Sequence, residues 1–444
     1  MTLGPLPGFR DFYPAEMAER AHIMRVWRDV ARRFAFVEYD GPPLESLELY
    51  TRKSGDEIVG QLYSFTDKGD RQVALRPEMT PTVARMVGAR ANALRKPVRW
   101  FSVPQLFRYE RAQKGRLREH FQLNVDIFGE ADVTADAELV AVAIEIMRAL
   151  GLSSADVRVR ASDRRILTGW LSALGVSEAS FPIAYAVIDK LGREPREVAI
   201  ERLRSGGVPE AALAPILDAA QLTLDDVAAR VAGTPAAEQV AAFRRFTDGV
   251  NRLTGDGTAW LAFDLSIVRG LAYYTGIVFE LFDAQGEMRA ICGGGRYDTL
   301  LKGLGGPDIP ALGFGLGDVV LGDLLRSRGL LPKEPPGPDF WVIGNAASGI
   351  EGAMSVAHEL RSAGFAVEYA LRAQKADKQQ KAAHSALARY VIQLHEEFAD
   401  NRVVSVRSAH TAAGRRSLID ILPGADVALD QLIAAASAHR GEAF

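Results

Sequence analysis

The sequence predicts an α+β domain built on an antiparallel sheet, with a helical insertion, followed by a smaller α/β domain. Two patterns lead to this prediction. Before residue 330, short β-rich runs follow one another between turn residues, which is typical of antiparallel sheets with helices on one side. After residue 340, strands and helices alternate, as they do around a parallel sheet. Between the two patterns, LLPKEPPGPD at 330–339 contains four prolines and predicts a linker.

The first elements are a helix, an edge strand and a hairpin. Residues 14–35 carry apolar side chains at helical spacing behind a proline, which predicts an amphipathic helix. FVEYDGPPLES, 36–46, reads as a strand interrupted by two prolines, as at a sheet edge. SFTDKGDRQVALRPEMT, 64–80, predicts two short strands joined by a turn at Lys68-Gly69, with a helix beginning near Thr80.

The middle of the chain predicts two longer strands, a helical insertion and a return to strands. FSVPQLFRYE and HFQLNVDIFGE are the two strands, joined by a polar hairpin loop, and a strongly periodic helix follows at 135–152. Residues 155–255, rich in alanine, leucine and arginine, predict the mostly helical insertion. The further predicted elements are strands at 259–268, 277–284 and 288–294 and a helix near 314–328.

The predicted domain boundaries follow from these patterns. Residues 1–329 form the first domain, with its insertion at about 155–255, and residues 340–444 form the second. In the second domain, FWVIGN, FAVEYA and RYVIQL alternate with helices at 348–363 and 376–388. This order predicts a βαβαβ unit with a mainly parallel sheet.

Composition narrows the class of protein. The 444 residues carry a formal charge of −3, with 48% hydrophobic and 25% charged residues, as in globular proteins. No apolar run approaches the roughly 18 residues that span a bilayer, so no membrane segment is predicted. The N-terminal stretch lacks the apolar core of a signal peptide, which predicts a cytoplasmic location. Cys292 is the only cysteine, so no intrachain disulfide can form.

Metal chemistry is restricted by the spacing of the histidines. His120 and His358 are neighbours among the seven histidines, with only Cys292 as a further soft ligand between them. The middle of the chain therefore offers no cluster of zinc ligands, and no dedicated metal site is predicted. Magnesium stays open, because it requires only carboxylate and phosphate oxygens.

The segment FRYERAQKGRLREHFQLNVDIFG, 107–129, carries the strongest functional signal. Its first half contains five cations: Arg108, Arg111, Lys114, Arg116 and Arg118. An isolated basic loop is usually a solvated loop, but strand alternation here places Arg108 and Glu110 on one face. Gln122, Asn124 and Asp126 share a face of the return strand. Two polar faces on adjacent strands predict a cavity, and arginines suit a polyphosphate ligand.

RGLAYYTG, 269–276, is a second candidate segment. Arg269 follows an apolar strand end, and Tyr273 and Tyr274 come shortly after it. Such a tyrosine pair fits a buried core as well as it fits a site for a small polar ligand.

Two glycine-rich segments are weaker candidates. CGGGRYD, 292–298, fits either a flexible turn or a close approach of backbone to ligand that positions Arg296 and Tyr297. LGFGLGDVV, 312–320, has glycines at alternate positions, which leaves one strand face bare for a flat ring or for close packing. Neither segment matches a P-loop or a dinucleotide-binding motif.

With these residues in hand, the chain resembles the histidyl-tRNA synthetases, a family of class II aminoacyl-tRNA synthetases, over essentially its whole length. FRYERAQKGRLREHFQ resembles motif 2 and its loop, and RGLAYYTG resembles the histidine-binding motif of the family. GPPLES resembles motif 1, where Pro43 would lie at a dimer interface. LRPEMT resembles the segment that holds the ammonium group, GLGDVV takes the place of motif 3, and the last hundred residues resemble an anticodon-binding domain.

The resemblance implies a class II catalytic fold, a homodimer, and a reaction in which ATP activates L-histidine before its transfer to tRNA(His). For ATP, it implies that Arg108 and Arg269 contact the α-phosphate from opposite sides as the catalytic residues. Glu110 would bind the adenine amine, and Arg116 would help to hold the β- and γ-phosphates. Mg²⁺ would enter with ATP.

For histidine, the resemblance implies two groups of contacts. Glu78, Thr80 and Gln122 would hold the ammonium group. The imidazole would be surrounded by Asp126, Tyr274 and Tyr297, with Tyr273 beside them. Members of the family often have glutamate in place of Asp126, so the contact is expected to be shorter here.

The sequence departs from the family pattern at two places. The family usually has Glu-Arg after the glycines of motif 3, and that arginine binds the γ-phosphate; here the two positions are Val319 and Val320. Arg326 and Arg328 lie too far along the helix to be assigned this role. Ala272 stands where an aspartate commonly precedes the two tyrosines.

These departures leave a second function open. A non-catalytic paralogue of the synthetases is the regulatory subunit of ATP phosphoribosyltransferase in histidine biosynthesis. That paralogue typically lacks the C-terminal domain and has a degraded motif 2 loop. Here the C-terminal domain is present and the motif 2 loop is intact, which favours the synthetase.

In the insertion, a group of cations fits either contact with the tRNA acceptor arm or a solvated helix face: Lys190, Arg193, Arg196, Arg202 and Arg204.

Overall fold

A computed structural model of the chain describes residues 4–51, 60–111, 113, 115–192, 194–268, 273–344, 349–409 and 417–440. The chain divides into two compact units, Met1–Lys333 and Glu334–Phe444. None of the helices in the described ranges combines the length and the hydropathy that a bilayer crossing requires.

The first unit is organised by a large, mainly antiparallel sheet. Its strands in the described residues are β1 (Val37–Glu38), β5 (Val98–Ser102), β6 (Gln105–Phe107), β7 (Glu119–Phe128), β8 (Val157–Asp163), β9 (Leu261–Phe263), β10 (Ile277–Asp283), β11 (Cys292–Arg296) and β12 (Ala311–Gly317). The order is β1-β5-β7-β12-β11-β10-β8-β9, and β6 pairs with β7. Within the described part of this sheet, the parallel pairs are β1–β5 and β8–β9. A small sheet of β2 (Leu44–Ser46), β3 (Ser64–Thr66) and β4 (Gln72–Leu75) has the order β2-β4-β3.

Helices surround the sheet and build the insertion. Those of the first unit in the described residues are α1 (Pro14–Arg33), α2 (Leu47–Thr51), α3 (Thr80–Ala89), α4 (Thr134–Ala149), α5 (Arg164–Ala173), α6 (Phe181–Ile188), α7 (Arg196–Ser205), α8 (Glu210–Leu217), α9 (Leu224–Arg230), α10 (Ala236–Thr254), α11 (Gly257–Trp260), α12 (Leu300–Gly303) and α13 (Asp318–Ser327). Short 3₁₀ turns lie at Glu178–Ser180 and Ala219–Gln221.

The central helix α4 explains how the insertion attaches to the sheet. Most of its residues are buried, because the sheet covers one side and α10 of the insertion packs along another. A helix that is apolar on nearly all sides requires such a double covering. Strand and insertion residues consequently belong to one continuous hydrophobic core.

Several predicted boundaries were wrong. The start of the predicted insertion, 157–163, is strand β8 of the main sheet. It pairs with β10 along its whole length, and its first residues alternate between buried and exposed. Within the predicted strand at 259–268, only Leu261–Phe263 form a strand, β9, which follows directly on the end of helix α11. The strand predicted at 288–294 is β11, shifted to Cys292–Arg296. The helix predicted from 314 begins at Asp318, after β12. The strand predicted for FSVPQLFRYE is divided at Pro104 into β5 and β6. Since β6 ends at Phe107, Arg108 lies just beyond the strand.

The second unit contains a five-stranded mixed sheet. Its strands are β13 (Phe340–Ile343), β14 (Val367–Tyr369), β15 (Tyr390–Leu394), β16 (Val403–Ser408) and β17 (Asp426–Ala428), in the order β14-β13-β15-β16-β17. The helices are α14 (Gly349–Ser362), α15 (Ala376–Ser385), α16 (Phe398–Asn401) and α17 (Leu429–Ala438), with a 3₁₀ turn at Leu418–Asp420. The βαβαβ order is as predicted, and its three strands are parallel. The added strands β16 and β17 are antiparallel.

A buried ion pair fixes α4 against the sheet. Arg296 at the end of β11 pairs with Asp136 on α4, and both side chains are 3% exposed. The guanidinium also donates to the backbone carbonyl oxygens of Glu130 and Asp132. Burial raises the pKa of Asp136 to about 6 against the opposing effect of Arg296, so the pair is ionised at neutral pH. Arg296 therefore has a structural role on the helix side of the sheet.

We expect the Arg296→Met variant to lose about 3–5 kcal/mol of unfolding free energy, because Asp136 would remain buried without its partner. Urea denaturation measures this loss. The matched control is Lys302→Met, because Lys302 and its partner Asp308 are both 65% exposed. That change should leave the unfolding free energy almost unchanged. Equal losses in the two variants would contradict the assignment of a structural role to Arg296.

Candidate functional site

The arginine-rich segment forms a hairpin loop between β6 and β7. The backbone N–H of Arg108 donates to the carbonyl of Arg118 across its base. The Arg108 side chain donates from Nε to the carbonyl oxygen of Pro77 at 2.9 Å, which ties the hairpin to the segment that carries Glu78. Gly115, at φ +74°, forms the turn of the loop. Lys114 lies outside the described residues.

Glu110 and Arg116 form an ion pair within this hairpin. Glu110 is 8% exposed, and neither of its carboxylate oxygens has a well-aligned hydrogen bond within the described residues. Arg116 therefore contacts the carboxylate at an angle too poor for a hydrogen bond, and the attraction between the two groups is electrostatic. Such a carboxylate retains its capacity to accept a hydrogen bond from a ligand.

A glycine floor lies between the polar strand β7 and the strand β10. We use this name for Gly313, Gly315 and Gly317 of β12 together with Gly293 and Gly295 of β11. In the sheet register, Asp126 lies opposite Gly313, Asn124 opposite Gly315, and Gln122 opposite Gly317. Gly315 and Gly313 in turn lie opposite Gly293 and Gly295. The polar face of β7 therefore continues into a surface without side chains.

The floor is required by the side chains that lie across it. A Cβ on Gly313 would lie 2.2 Å from Asp126 Oδ1, and one on Gly315 would lie 2.7 Å from Gln122 Cδ. Both distances are shorter than any van der Waals contact, so these two positions of β12 can carry no larger residue while Asp126 and Gln122 keep their places. The alternate glycines thus accommodate the side chains of the neighbouring strand, which differs from both sequence interpretations.

A cavity of about 650 Å³ opens over one end of this floor. Its lining includes Gly293, Gly315 and Gly317 of the floor. The charged and polar side chains around it are Arg108, Glu110, Arg116, His120, Gln122, Glu280, Glu287 and Arg289, and Val319 and Val320 form an apolar part of the wall. The structure thus brings together the three described residues predicted to bind ATP and one predicted to bind histidine.

Apart from Thr80, the other predicted histidine contacts lie in or against an aromatic cluster at the opposite end of the floor. The Tyr297 hydroxyl donates to Asp126 Oδ1, and the Tyr273 hydroxyl donates to Glu78 Oε2 at 3.2 Å. The rings of Tyr273 and Tyr274 are 5.0 Å apart, and those of Tyr273 and Tyr297 are 5.8 Å apart. Two buried carboxylates are therefore positioned by two buried phenols.

Asp126 has the electrostatic character of a binding group. It is 3% exposed, and Oδ2 has no hydrogen-bond partner within the described residues. Burial raises the pKa of Asp126 to about 7, and the hydrogen bond from Tyr297 opposes this shift. A buried carboxylate oxygen that lacks a donor is costly unless a ligand supplies one.

His120 and Arg289 line the cavity but were not among the predicted site residues. Burial, together with the charges of Arg108, Arg10 and Arg116, lowers the pKa of His120 to about 3, so this imidazole is neutral. Arg289 lies in the loop between β10 and β11, and no motif in the sequence pointed to it. Its position depends on strand register, which sequence spacing alone does not give.

Some predicted residues are not placed at the site. Arg269, like Ala272, lies outside the described residues, so its role stays a prediction. Thr80 begins α3, two residues after Glu78, and is partly buried. Arg296 points away from the floor into its pair with Asp136, which argues against the interpretation of CGGGRYD in which it is positioned for a ligand.

The basic residues of the insertion are largely neutralised. Arg196 pairs with Asp218, Arg202 with Glu194, and Arg204 with Glu210. Ion pairs at or near the surface, such as these, are typical of a solvated helix face, which favours that interpretation over contact with nucleic acid. Arg193 lies outside the described residues.

Comparisons with known families extend these findings. A family model described as histidyl-tRNA synthetase matches residues 8–318, and one described as anticodon binding domain matches residues 342–434. The chain is 45% identical over 416 residues to the histidine–tRNA ligase of Opitutus terrae, covering 92% of this chain and 94% of that protein. It is 36% identical over 428 residues to the histidine–tRNA ligase of Thermoplasma volcanium, covering 95% and 98%.

Solved structures confirm the predicted fold class. A histidyl-tRNA synthetase from Nostoc sp. PCC 7120 superposes with a TM-score of 0.80 at 23% identity, covering 98% of this chain and 99% of that chain. A protein described as an ATP phosphoribosyltransferase regulatory subunit/histidyl-tRNA synthetase from Bacillus halodurans superposes with a TM-score of 0.71 at 21% identity, covering 86% and 97%. At these identities the likeness concerns the fold alone.

The raised pKa of Asp126 predicts a specific pH dependence of stability. Because the folded-state pKa exceeds the unfolded value, the contribution to stability is complete below about pH 4 and is lost as the pH rises through about 7. Asp126→Asn carries no such charge. We therefore expect the melting temperature of the ligand-free variant to rise relative to the parent protein between pH 5 and pH 8.

Thermal unfolding at several pH values measures this difference. The exposed change Asp308→Asn provides the control, because its carboxylate is 65% exposed. A melting-temperature difference that stays constant with pH for Asp126→Asn would contradict the assignment.

Proposed function

The chain belongs to the histidyl-tRNA synthetase family, and on this premise we propose that it joins L-histidine to tRNA(His) with ATP. The reaction has two steps, formation of histidyl-adenylate and transfer of the histidyl group to the terminal ribose of the tRNA. The observation that carries the proposal is the glycine floor, with a buried carboxylate–phenol pair at one end and an arginine-lined cavity at the other. This arrangement supports a small polar side chain bound beside a triphosphate.

Histidine would be selected by the unpartnered oxygen of Asp126. Oδ2 accepts a hydrogen bond from a ring N–H of the imidazole, while Tyr297 holds the other oxygen. Tyr274 lies beside this pair within the same aromatic cluster. A site whose buried polar groups need hydrogen-bond partners rejects analogues without them by about 10⁴-fold, which would make an editing domain unnecessary.

The amino group of histidine would be bound next to these residues. Glu78, Thr80 and Gln122 are the proposed contacts, and Glu78 is oriented by the Tyr273 hydroxyl. Gln122 lies on the same face of β7 as Asp126 and also lines the cavity. This position orients the histidine carboxylate toward the phosphates.

ATP would occupy the arginine-lined cavity. Glu110 accepts a hydrogen bond from the adenine amine, and Arg116 binds the β- and γ-phosphates. Because these two side chains form an ion pair in this structure, ATP binding exchanges one favourable contact for two. Arg108 contacts the α-phosphate from the hairpin side, and Arg269 is proposed to contact it from the other side.

In the first step, a carboxylate oxygen of histidine attacks the α-phosphorus in line and pyrophosphate leaves. Arg108 and Arg269 reduce the repulsion between the two anions and stabilise the charge on the phosphoryl oxygens. Holding the reactants face to face contributes on the order of 7 kcal/mol. In the second step, a ribose hydroxyl attacks the carbonyl carbon and AMP leaves. No protein nucleophile takes part.

Magnesium would enter with ATP. Glu280 and Glu287 line the cavity, and carboxylate oxygens fit this ion. Bound there, Mg²⁺ neutralises charge on the phosphate oxygens. Among the described residues, no group of three or more histidine, cysteine, aspartate or glutamate side chains is arranged as a metal site.

We also infer a homodimer in the cytoplasm. The apolar side chains of Leu44 and Phe65 are 37% and 50% exposed on the small sheet next to Pro43, the residue that the resemblance assigns to the dimer interface. An exposed apolar surface of this kind supports contact with a second copy. The matched anticodon binding domain supports tRNA(His) as the partner.

The decisive experiment is amino-acid-dependent exchange between ATP and pyrophosphate, with each amino acid offered in turn. We expect exchange with histidine alone. If no amino acid supports exchange while histidine still binds, the chain would act as the regulatory subunit of ATP phosphoribosyltransferase instead.

A second experiment tests the proposed α-phosphate contacts. Arg269→Ala and Arg108→Ala should each lower the rate of adenylation by at least about 10²-fold, because the transition-state charge loses a fixed donor. Histidine affinity, measured by calorimetry, should change little. Arg326→Ala is the control, because this residue pairs with Glu19 at the surface. Near-normal turnover of Arg269→Ala would refute its role.

A further inference from the structure

We propose that Arg289, in the loop between β10 and β11, binds the β- and γ-phosphates of ATP. The inference rests on the proposed function and adds a residue that neither the motifs nor the comparisons assign. It also accounts for the absence of an arginine at Val319 and Val320.

The charge distribution around the cavity is the first argument. From the β10 side, the lining contains the carboxylates of Glu280 and Glu287 together with the guanidinium of Arg289. The valines of α13 contribute no charge. Among the described lining residues, Arg289 is therefore the cation that faces a triphosphate from this side. Without it, two carboxylates would repel the phosphates.

The position of Arg289 relative to the hairpin is the second argument. A Cβ on Gly115 would lie 3.3 Å from Val320 Cγ2 and 3.7 Å from Arg289 Cδ. The stem of Arg289 therefore lies over the turn of the hairpin, beside Val320 and close to Gly115, which precedes Arg116 in the chain. The stem thus lies next to position 320, where the family usually has an arginine, although it comes from a different part of the chain.

The β10–β11 loop is built to hold this position, which is the third argument. The carboxylate of Asp283, itself 3% exposed, accepts hydrogen bonds from the backbone N–H groups of Gln285, Glu287 and Met288. These bonds lower the pKa of Asp283 despite its burial. On the far side of Arg289, the N–H of Ile291 donates to the carbonyl of Leu281. Arg289 thus extends from a loop fixed at both ends.

Arg289 remains able to reach a ligand. It is exposed, in contrast to the buried Arg296 seven positions later. An arginine fork that reaches two adjacent phosphate groups provides paired, charge-assisted hydrogen bonds. The α-phosphate is the part of ATP that remains in the adenylate, so Arg289 should distinguish ATP and pyrophosphate from AMP and from histidyl-adenylate.

The test measures ATP–pyrophosphate exchange with histidine for the parent protein, Arg289→Ala and Arg289→Lys. We expect Arg289→Ala to lower kcat/KM for ATP between about 10- and 100-fold, as for a lost hydrogen bond to a charged group. The KM for pyrophosphate should rise, and the KM for histidine should stay within about twofold. Arg289→Lys keeps the charge without the planar fork, so its kcat/KM for ATP should lie between those of the parent protein and Arg289→Ala.

Two controls separate ligand binding from a structural effect. Gln285→Ala alters the same loop outside the cavity and should leave the kinetics unchanged. Calorimetry with a non-hydrolysable histidyl-adenylate analogue, which lacks the β- and γ-phosphates, should give equal affinities for the parent protein and Arg289→Ala. In the double variant Arg289→Ala/Val320→Arg, an arginine returns at position 320, and we expect part of the ATP activity to return.

The outcomes separate this inference from the proposed function. Unchanged ATP kinetics in Arg289→Ala, or an equal loss of affinity for the adenylate analogue, would overturn the role of Arg289 while leaving the synthetase reaction intact. If the parent protein shows no exchange, the proposed function fails. Direct calorimetry of ATP binding to the parent protein and to Arg289→Ala then decides the role of Arg289 by itself.

Discussion

The site depends on one packing constraint, the absence of side chains on the glycine floor. Polar side chains from the middle of a sheet normally point away from it, but Gln122 and Asp126 lie across β12. This arrangement is possible only because Gly313 and Gly315 leave their space open. The cost is conformational, since glycine weakens a strand by roughly 0.5–1 kcal/mol relative to alanine. The burial of the strands by neighbours on both sides offsets that cost.

The helix side of the same strands supplies the rigidity that the floor lacks. Gly294 faces α4, and a Cβ there would lie 2.5 Å from Phe314 Cβ, so this side is packed without space to spare. Arg296 and Asp136 then fix α4 to the end of β11. Tyr297, the next residue, turns to the opposite side and holds Asp126. Strand alternation thus places a structural ion pair and a ligand-binding phenol at consecutive positions.

Sequence reasoning found the chemistry of the site better than its geometry. The five cations and the alternation of Gln122, Asn124 and Asp126 predicted a polar cavity, because period-2 patterns are local. The meaning of the alternate glycines was missed, since it depends on which strand lies beside β12. Arg289 was missed for the same reason: its loop meets the hairpin only through the strand order β7-β12-β11-β10. Strand boundaries failed where proline or glycine interrupted the pattern, as at Pro104.

Acidic and basic groups occupy different kinds of structure in this site, and the difference follows from their proposed ligands. Asp126 lies on a central strand and is held by Tyr297, which suits an imidazole that must be desolvated and placed within a few tenths of an ångström. Arg116 and Arg289 lie on hairpin loops at the edge of the cavity. A triphosphate arrives hydrated and highly charged, and attraction acts on it before contact is made. Loops can exchange an internal partner such as Glu110 for the phosphates, whereas a strand could not do so without breaking the sheet.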